Sequence, residues 1–392
     1  MFATDRPHTP GEAPVAAQIK TIYLPLSETF IYRALTGLRR WRPLVLAEIV
    51  ANAERFPLAG VTRLRRPALW RRAPWALLRR ALGDRTLRAA FRPLPAGTLA
   101  GARVLHAHFG EAGVACLPLV RAGSLPLVTS FYGLDAAQIA QRPYGRWRYR
   151  SLFGAGAAFT AVSDAIRHQL IALGAPAARV HVIRLGLNPD TIPFAPRRWP
   201  ADGRVRLLTC GRLVEKKGTR YAIEALALLR DRFPAVTLTV AGDGPLRPAL
   251  QGLALQLGVA QRVRFAGALP SPAVLELMAD SHLFVLPSVV AADGDQEGTP
   301  VVLIEAQASG LPVLATRHAG IPEVVLDGES GLLAPERDAA ALAALLAQLL
   351  DHPERWPGLG AAGRAHVAAS FDARDAAVRL EALYDDVSSQ RS

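Results

Sequence analysis

Two glutamates eight positions apart, Glu297 and Glu305, bracket the segment Glu297-Gly-Thr-Pro-Val-Val-Leu-Ile-Glu305. Thr299 reads as a helix N-cap and Pro300 as the first helical residue. The amides of Val301, Val302 and Leu303 would then point free from a positive helix end, which suits an anion. Gly298 lets a ligand approach the backbone closely. Glu297 precedes the helix and Glu305 lies more than a turn inside it. They are therefore separated along a ligand, not paired like a glycosidase acid and base. A long ligand with a phosphate in the middle and hydroxyls at both ends would fit. From spacing alone, a capped helix with two solvated glutamates fits as well.

A second segment adds cations. Of 46 basic residues only Lys20, Lys216 and Lys217 are lysines, and two of them stand together in Gly211-Arg-Leu-Val-Glu-Lys-Lys-Gly218. A chain so poor in lysine that places two in one loop points to a need for compact ammonium charge. Arg212 and Lys217, with Gly211 at the loop's start, are the candidate phosphate ligands. The alternative is a plain surface turn.

These loops need strands and helices to hold them. Apolar runs of strand length recur at Thr21–Leu24, Pro43–Leu46, Arg103–His106, Leu127–Ser130, Phe159–Val162 and His181–Ile183. A second set follows at Arg206–Cys210, Thr237–Ala241, Arg262–Phe265, Leu283–Leu286 and Val313–Thr316. Helical patterns lie between them, as at Gly218–Arg230, Leu246–Leu257, Ser271–Ala279 and Pro300–Ala308. Such alternation predicts parallel sheets covered on both faces. Eleven strands exceed one small sheet, and Asn188 to Arg204 is rich in Pro and Arg with little periodicity. The expected class is α/β, as two Rossmann-like domains facing a cleft, with C-terminal helices. The boundaries are 1–190, a linker at 191–203, 204–365, and a helical segment at 366–392. Ligands of open α/β sheets bind at the carboxyl ends of the strands, so both loops above fall where a ligand is expected.

Composition narrows the setting. Two cysteines, Cys116 and Cys210, exclude a disulfide framework and a Cys-based zinc site, and suit a reducing cytoplasm. Residues 1–14 have no apolar signal core, and no apolar run reaches the roughly 18–20 residues of a membrane span. Net charge is +13, all of it from the N-terminal part. Residues 1–150 hold 23 Lys+Arg against 8 Asp+Glu; the remainder hold 23 against 25. Residues 63–92 alternate arginines with leucines, Trp70 and Trp75, as a stretch lying on an anionic membrane would. Generic surface charge is the alternative. No nucleic-acid-binding motif accompanies the charge.

Taken together, Gly211–Gly218, Ala241-Gly-Asp-Gly-Pro245, Phe265-Ala-Gly267, Glu297–Glu305, Ala308-Ser-Gly-Leu-Pro-Val313 and Gly320-Ile-Pro-Glu323 resemble glycosyltransferase family 4. In the N-terminal half, Ser27-Glu-Thr-Phe30, Leu105-His-Ala-His-Phe-Gly110 and Ser130-Phe-Tyr-Gly-Leu-Asp135 resemble the branch that builds exopolysaccharides and colanic-acid-type polymers. The resemblance implies the GT-B fold and retaining, metal-independent transfer from a UDP- or GDP-sugar, with no further cofactor. It implies that Arg212 and Lys217 bind the donor diphosphate and that Glu297 holds donor-sugar hydroxyls. Glu305 would hold the ribose, backbone from Gly298 through Thr299 and Pro300 to Val301 would line sugar and phosphate, and Leu269 would lie against the base.

His108, Gly110, Tyr132 and Asp135 are the expected sugar or acceptor contacts. Many members carry a histidine where this chain has Tyr132, and Tyr132 is no base near neutral pH. Asp135 reads equally as a helix N-cap. Asp293-Gly-Asp295 resembles a metal motif of a different glycosyltransferase fold, but no metal is expected in this context. The expected acceptor is a saccharide, with a polyprenyl-diphosphate-linked one in view, met in the cytoplasm at the inner face of the membrane. An epimerase or phosphorylase on the same architecture, or an idle partner in glycan assembly, are the competing functions.

Overall fold

A strand buried on both faces belongs inside a covered parallel sheet. The computed structural model describes residues 13–25, 28–64, 97–122, 125–137 and 143–390, and holds two such sheets. The first contains β1 (Val15–Tyr23), β2 (Arg42–Val50), β3 (Val61–Arg63), β4 (Ala102–His108), β5 (Leu127–Phe131), β6 (Ala158–Ala161) and β7 (Val180–Val182). Their order is β3-β2-β1-β4-β5-β6-β7. The second contains β8 (Arg206–Cys210), β9 (Thr237–Ala241), β10 (Val263–Gly267), β11 (Leu283–Leu286), β12 (Val313–Thr316) and β13 (Gly331–Ala334), in the order β10-β9-β8-β11-β12-β13. Every strand pair is parallel. Helices cover both faces, so the chain is two Rossmann-like halves, as expected.

The strand bounds differ from expectation where polarity or brevity hid them. β1 begins at Val15, not Thr21, because Gln18 and Lys20 lie buried inside it and break its apolar signal. β3 and β13 were not anticipated. They have three and four residues, too few for a period to show.

Residues between the sheets are pinned. Arg197 is buried and donates to the carbonyls of Ala195, Met278 and Ser281 at 2.6–2.9 Å. The two covalent crossings between the halves run side by side, with Leu187 and Phe371–Ala373 exchanging backbone hydrogen bonds. The last helix, Ala373–Ser389, then returns to the first half. Its Leu380, Leu383, Tyr384 and Val387 pack with Ala16, Trp41, Val104, Val128 and Ala158. Glu381 accepts from the backbone N–H groups of Arg39, Arg40 and Trp41 at 2.6–3.1 Å.

Candidate functional site

At the carboxyl end of β8 the chain turns through Gly211–Gly218, with a short 3₁₀ turn at Glu215–Lys217. Gly218 has φ +61°, and a Cβ there would stand 1.7 Å from the Pro287 carbonyl oxygen. Only glycine lets this loop press against the end of β11. That approach brings Lys217 Nζ to 2.7 Å from Glu297 Oε1 and Lys216 Nζ to 2.9 Å from Asp295 Oδ1. Arg212, by contrast, is exposed, and its guanidinium pairs with no described residue.

The third lysine, Lys20, is buried at 6% exposure and pairs with Glu28 at 2.5 Å beneath the cleft's other wall. Each of the chain's three lysines thus sits on a carboxylate beside the cleft.

Glu297 is buried, and burial alone would push its carboxyl up; Lys217 and Lys216 bring it below its ordinary value instead. It is an anion at neutral pH. Its backbone N–H donates to His318 Nε2 at 3.0 Å, and His318 Nδ1 lies 2.6 Å from Glu336 Oε1. That pattern requires a neutral imidazole protonated on Nδ1. Sequence reasoning missed His318, because nothing in its spacing ties it to Glu297.

Helix Val301–Ala308 differs in one detail from expectation. Its N-cap is Pro300, and no side chain caps it. Thr299 does not serve as that cap because its hydroxyl is spent elsewhere, donating to the Val162 carbonyl of the first half at 2.8 Å. The helix's first amides are thereby left uncapped by any side chain, which is the anion-binding condition. One turn on, Glu305 takes Arg33 Nη2 of the first half at 3.0 Å. Burial raises the Glu305 carboxyl's pKa, and Arg33 opposes that rise.

The first half meets these residues at glycine. A Cβ on Gly298 would stand 2.0 Å from the Tyr132 carbonyl oxygen, and one on Gly133 3.0 Å from the Gly298 nitrogen. Glu323 reaches across to accept from the N–H groups of Asp164 and Ala165 at 2.9 and 3.0 Å, at the start of helix Asp164–Ala172. The expected N-terminal site residues are all at this wall. Asp135 accepts from the N–H groups of Gly110, Tyr132 and Gly133 at 3.0–3.1 Å, binding the loops after β4 and β5 together. It is not the cap of helix Leu134–Ala137, in which it lies.

His108 is 2% exposed, and both its nitrogens are engaged: Nδ1 with Tyr132 Oη at 2.7 Å, Nε2 with Gln18 Oε1 at 3.0 Å. The Tyr132 hydroxyl therefore faces His108. His106 bridges Tyr384 Oη at 2.5 Å and Ser130 Oγ at 2.7 Å. Phe109, next along the chain, holds φ +75° and ψ 145° and lies under the Lys20 ammonium at 3.6 Å. Such backbone is strained for a residue with a side chain.

Burial lowers both histidines, His106 to about 3 and His108 well below its ordinary value, so both are neutral in the folded chain. Unfolded, they titrate near 6.5. Between those values the unfolded chain binds more protons, so their contribution to stability is lost as pH falls below 6.5, at about 1.4 kcal/mol per pH unit for each. Asp135 works the other way. Burial raises it to about 6, so the folded form gains the proton first and gains stability as pH falls below 6. The unfolding midpoint is expected to fall from pH 7.5 to pH 5. In a His106→Gln/His108→Gln double variant that slope should flatten; an unchanged slope would remove the histidines as its cause.

Of the remaining expected residues, Leu269 is 36% exposed just beyond β10, and Asp295 is occupied by Lys216. Among the described residues no group of three or more His, Cys, Asp or Glu is placed to hold a metal. Residues 65–92 of the basic stretch, and Ser27, lie outside the described residues. The structure therefore gathers an exposed arginine, an ammonium on a buried carboxylate, an uncapped helix start and a second buried carboxylate along one cleft. Cations and amides so fixed can stabilise a departing phosphate, and the two carboxylates can accept from hydroxyls on either side of it.

Known proteins resemble this chain in sequence and in fold. Residues 12–191 match the family described as Glycosyltransferase Family 4, and residues 194–366 match Glycosyl transferases group 1. The chain is 38% identical to the putative colanic acid biosynthesis glycosyltransferase WcaL of Salmonella typhimurium, over 64% of this chain and 63% of that protein. It is 35% identical to the amylovoran biosynthesis glycosyltransferase AmsK of Erwinia amylovora, over 68% and 65%. It thus spans just under two thirds of the length of these two. A GDP-mannose-dependent phosphatidylinositol monomannoside mannosyltransferase of Mycolicibacterium smegmatis is 32% identical over 70% of this chain and 75% of that protein. Among solved structures, Anabaena HepE in complex with UDP superposes with a TM-score of 0.75 at 19% identity, over 95% of this chain and all of that one. These matches cover both halves of the chain, and the chain belongs to the glycosyltransferase family 4 and group 1 proteins, with their GT-B fold.

Proposed function

We propose that this chain moves a hexose from a nucleotide-diphosphate sugar to a saccharide acceptor, with retention of anomeric configuration, in the synthesis of a surface polysaccharide. The observation that carries the reading is the Lys217–Glu297 pair, 2.7 Å apart near the start of an uncapped helix, with Arg212 exposed in the same loop as Lys217. In this reading Arg212 and Lys217 receive the diphosphate, and Glu297 accepts from donor-sugar hydroxyls. Glu305 accepts from the ribose, and Gly298 to Val301 present backbone to both. Gly211 shapes the cation loop, and Leu269 offers an apolar edge to the base.

The bond from the anomeric carbon to the phosphate oxygen breaks and one to the acceptor oxygen forms on the same face. The acceptor's proton passes to the departing phosphate oxygen. Preorganised cations stabilise the charge that develops there. His108, Gly110, Tyr132 and Asp135 shape the opposing wall, with His108 and Tyr132 holding each other rather than acting as bases. HepE was solved with UDP and with UDP-glucose, and the Mycolicibacterium smegmatis relative is GDP-mannose-dependent, so UDP- and GDP-sugars are the donors to screen first. The relatives named for colanic acid and amylovoran support a glycan acceptor, and the basic stretch 63–92 supports one carried at an anionic lipid surface.

Thermal shift across UDP- and GDP-sugars should pick out one donor, since a ligand at 100 times its dissociation constant adds about 2.7 kcal/mol. Transfer from that donor should then be seen with acceptor on anionic vesicles and be weaker on neutral ones. Conversion of the donor sugar without any acceptor would replace this reading with an epimerase.

A further inference from the structure

We infer that Arg33, carried by the first half of the molecule, is a positioning residue that orients the Glu305 carboxylate for the ribose of the nucleotide donor. The inference rests on the proposed role of Glu305.

Glu305 is on the second half, yet its one ion-pair partner among the described residues comes from across the cleft. Arg33 Nη2 meets Oε1 at 3.0 Å. Among the described residues no second-half cation pairs with it. Lys217 is committed to Glu297 at 2.7 Å, and Arg364, on helix Trp356–Ser370, bonds the Ile192 and Ala308 carbonyls, beyond the far end of the Glu305 helix. Cys210, at the end of β8, senses both Lys217 and Glu305; burial pushes its thiol to about 11, so it stays neutral.

The single contact leaves Oε2 and the second lone pair of Oε1 as acceptors, the pair that two adjacent hydroxyls require. A carboxylate this buried tends to take up a proton when unpaired, and a protonated carboxyl accepts less well. Arg33 itself is well fixed. It lies on helix Thr29–Gly37, held down by Ile31 and Leu35, each 2% exposed. Phe30 on the same helix rests 4.9 Å from the Tyr132 ring, where the wall meets Gly298. One helix thus touches both the closed wall and the ribose carboxylate, so the ribose site is complete only when the halves stand this close.

The test is calorimetric binding of UDP and GDP against their 2′-deoxy counterparts, from pH 5 to pH 8. The wild type should prefer the ribonucleotide by about 10-fold, the worth of a charge-assisted hydrogen bond. Glu305→Gln should abolish that preference. Arg33→Ala should reduce it at least about 3-fold, and Arg33→Lys should restore part of it. Because burial raises the Glu305 carboxyl and Arg33 opposes this, Arg33→Ala should also lose the preference at a higher pH than the wild type does. If Glu305→Gln keeps the wild-type preference, the ribose reading itself fails. If Glu305→Gln loses it while Arg33→Ala keeps both preference and pH profile, this inference alone is overturned. Tighter ribonucleotide binding by Arg33→Ala would overturn it too, by making Arg33 an obstruction.

Discussion

Lys217→Ala is expected to lower kcat by about 100- to 1,000-fold, the usual cost of removing one preorganised group that stabilises developing charge. Two effects add. The proposed leaving diphosphate loses its ammonium, and Glu297 loses the partner 2.7 Å away that offsets its burial. Lys216 cannot take over, since Asp295 holds it at 2.9 Å. The Glu297 carboxyl should then titrate higher, so activity of the variant should fall off at a higher pH than that of the wild type. The Gly211–Gly218 loop keeps its backbone contacts, but the buried Glu297 carboxylate left without its ammonium should lower the thermal midpoint, so activity is compared at a temperature where both proteins are folded. Steady-state kinetics with the donor and acceptor found above provide the check. A loss under about 3-fold would exclude Lys217 from the chemistry.

Gly298→Ala should be nearly as damaging by a wholly different route. The added methyl would stand 2.0 Å from the Tyr132 carbonyl oxygen and 2.8 Å from its carbon, both backbone atoms that cannot rotate away. Neither sheet needs Gly298 to fold, so each half should form normally. What is lost is their approach. A displacement of about 1 Å in a reacting geometry can cost about 100-fold in rate. The variant should therefore show near-native unfolding, a fall in kcat/KM of that order, and a larger radius of gyration by small-angle scattering. Wild-type kinetics in Gly298→Ala would mean that the contact plays no part in turnover.

The second half is legible in the sequence because its signals are local. β8, β9, β11 and β12 coincide with the apolar runs, and Lys217 meets Glu297 because one lies near the end and the other at the start of motifs that follow the carboxyl ends of β8 and β11. What escaped was non-local. Arg33 and Glu305 are 272 positions apart, and no periodicity links them. Thr299 has an ideal capping type and position, yet its hydroxyl serves the opposite half. Local chemistry fixes what a residue can donate; only the fold decides to whom. Gln18 and Lys20 hid most of β1 for the same reason. Their partners, His108, Tyr384 and Glu28, are distant in sequence or in a neighbouring loop, so a buried polar residue looked like a strand's end.

The returning helix Ala373–Ser389 carries a consequence for how the protein is made. The first half leaves the ribosome first, and domains generally fold as they emerge. Here the Tyr384 hydroxyl joins the His106 network, Glu381 occupies the amides of residues 39–41, and Leu380, Leu383 and Val387 close an apolar face over β4, β5 and β6. Until those residues are synthesised, the first sheet stands with that face uncovered over β4, β5 and β6, and with a buried histidine short of a partner. The half that begins the chain is finished by a segment made some two hundred residues after its last strand. Its exposure during translation therefore lasts as long as the whole second half takes to make.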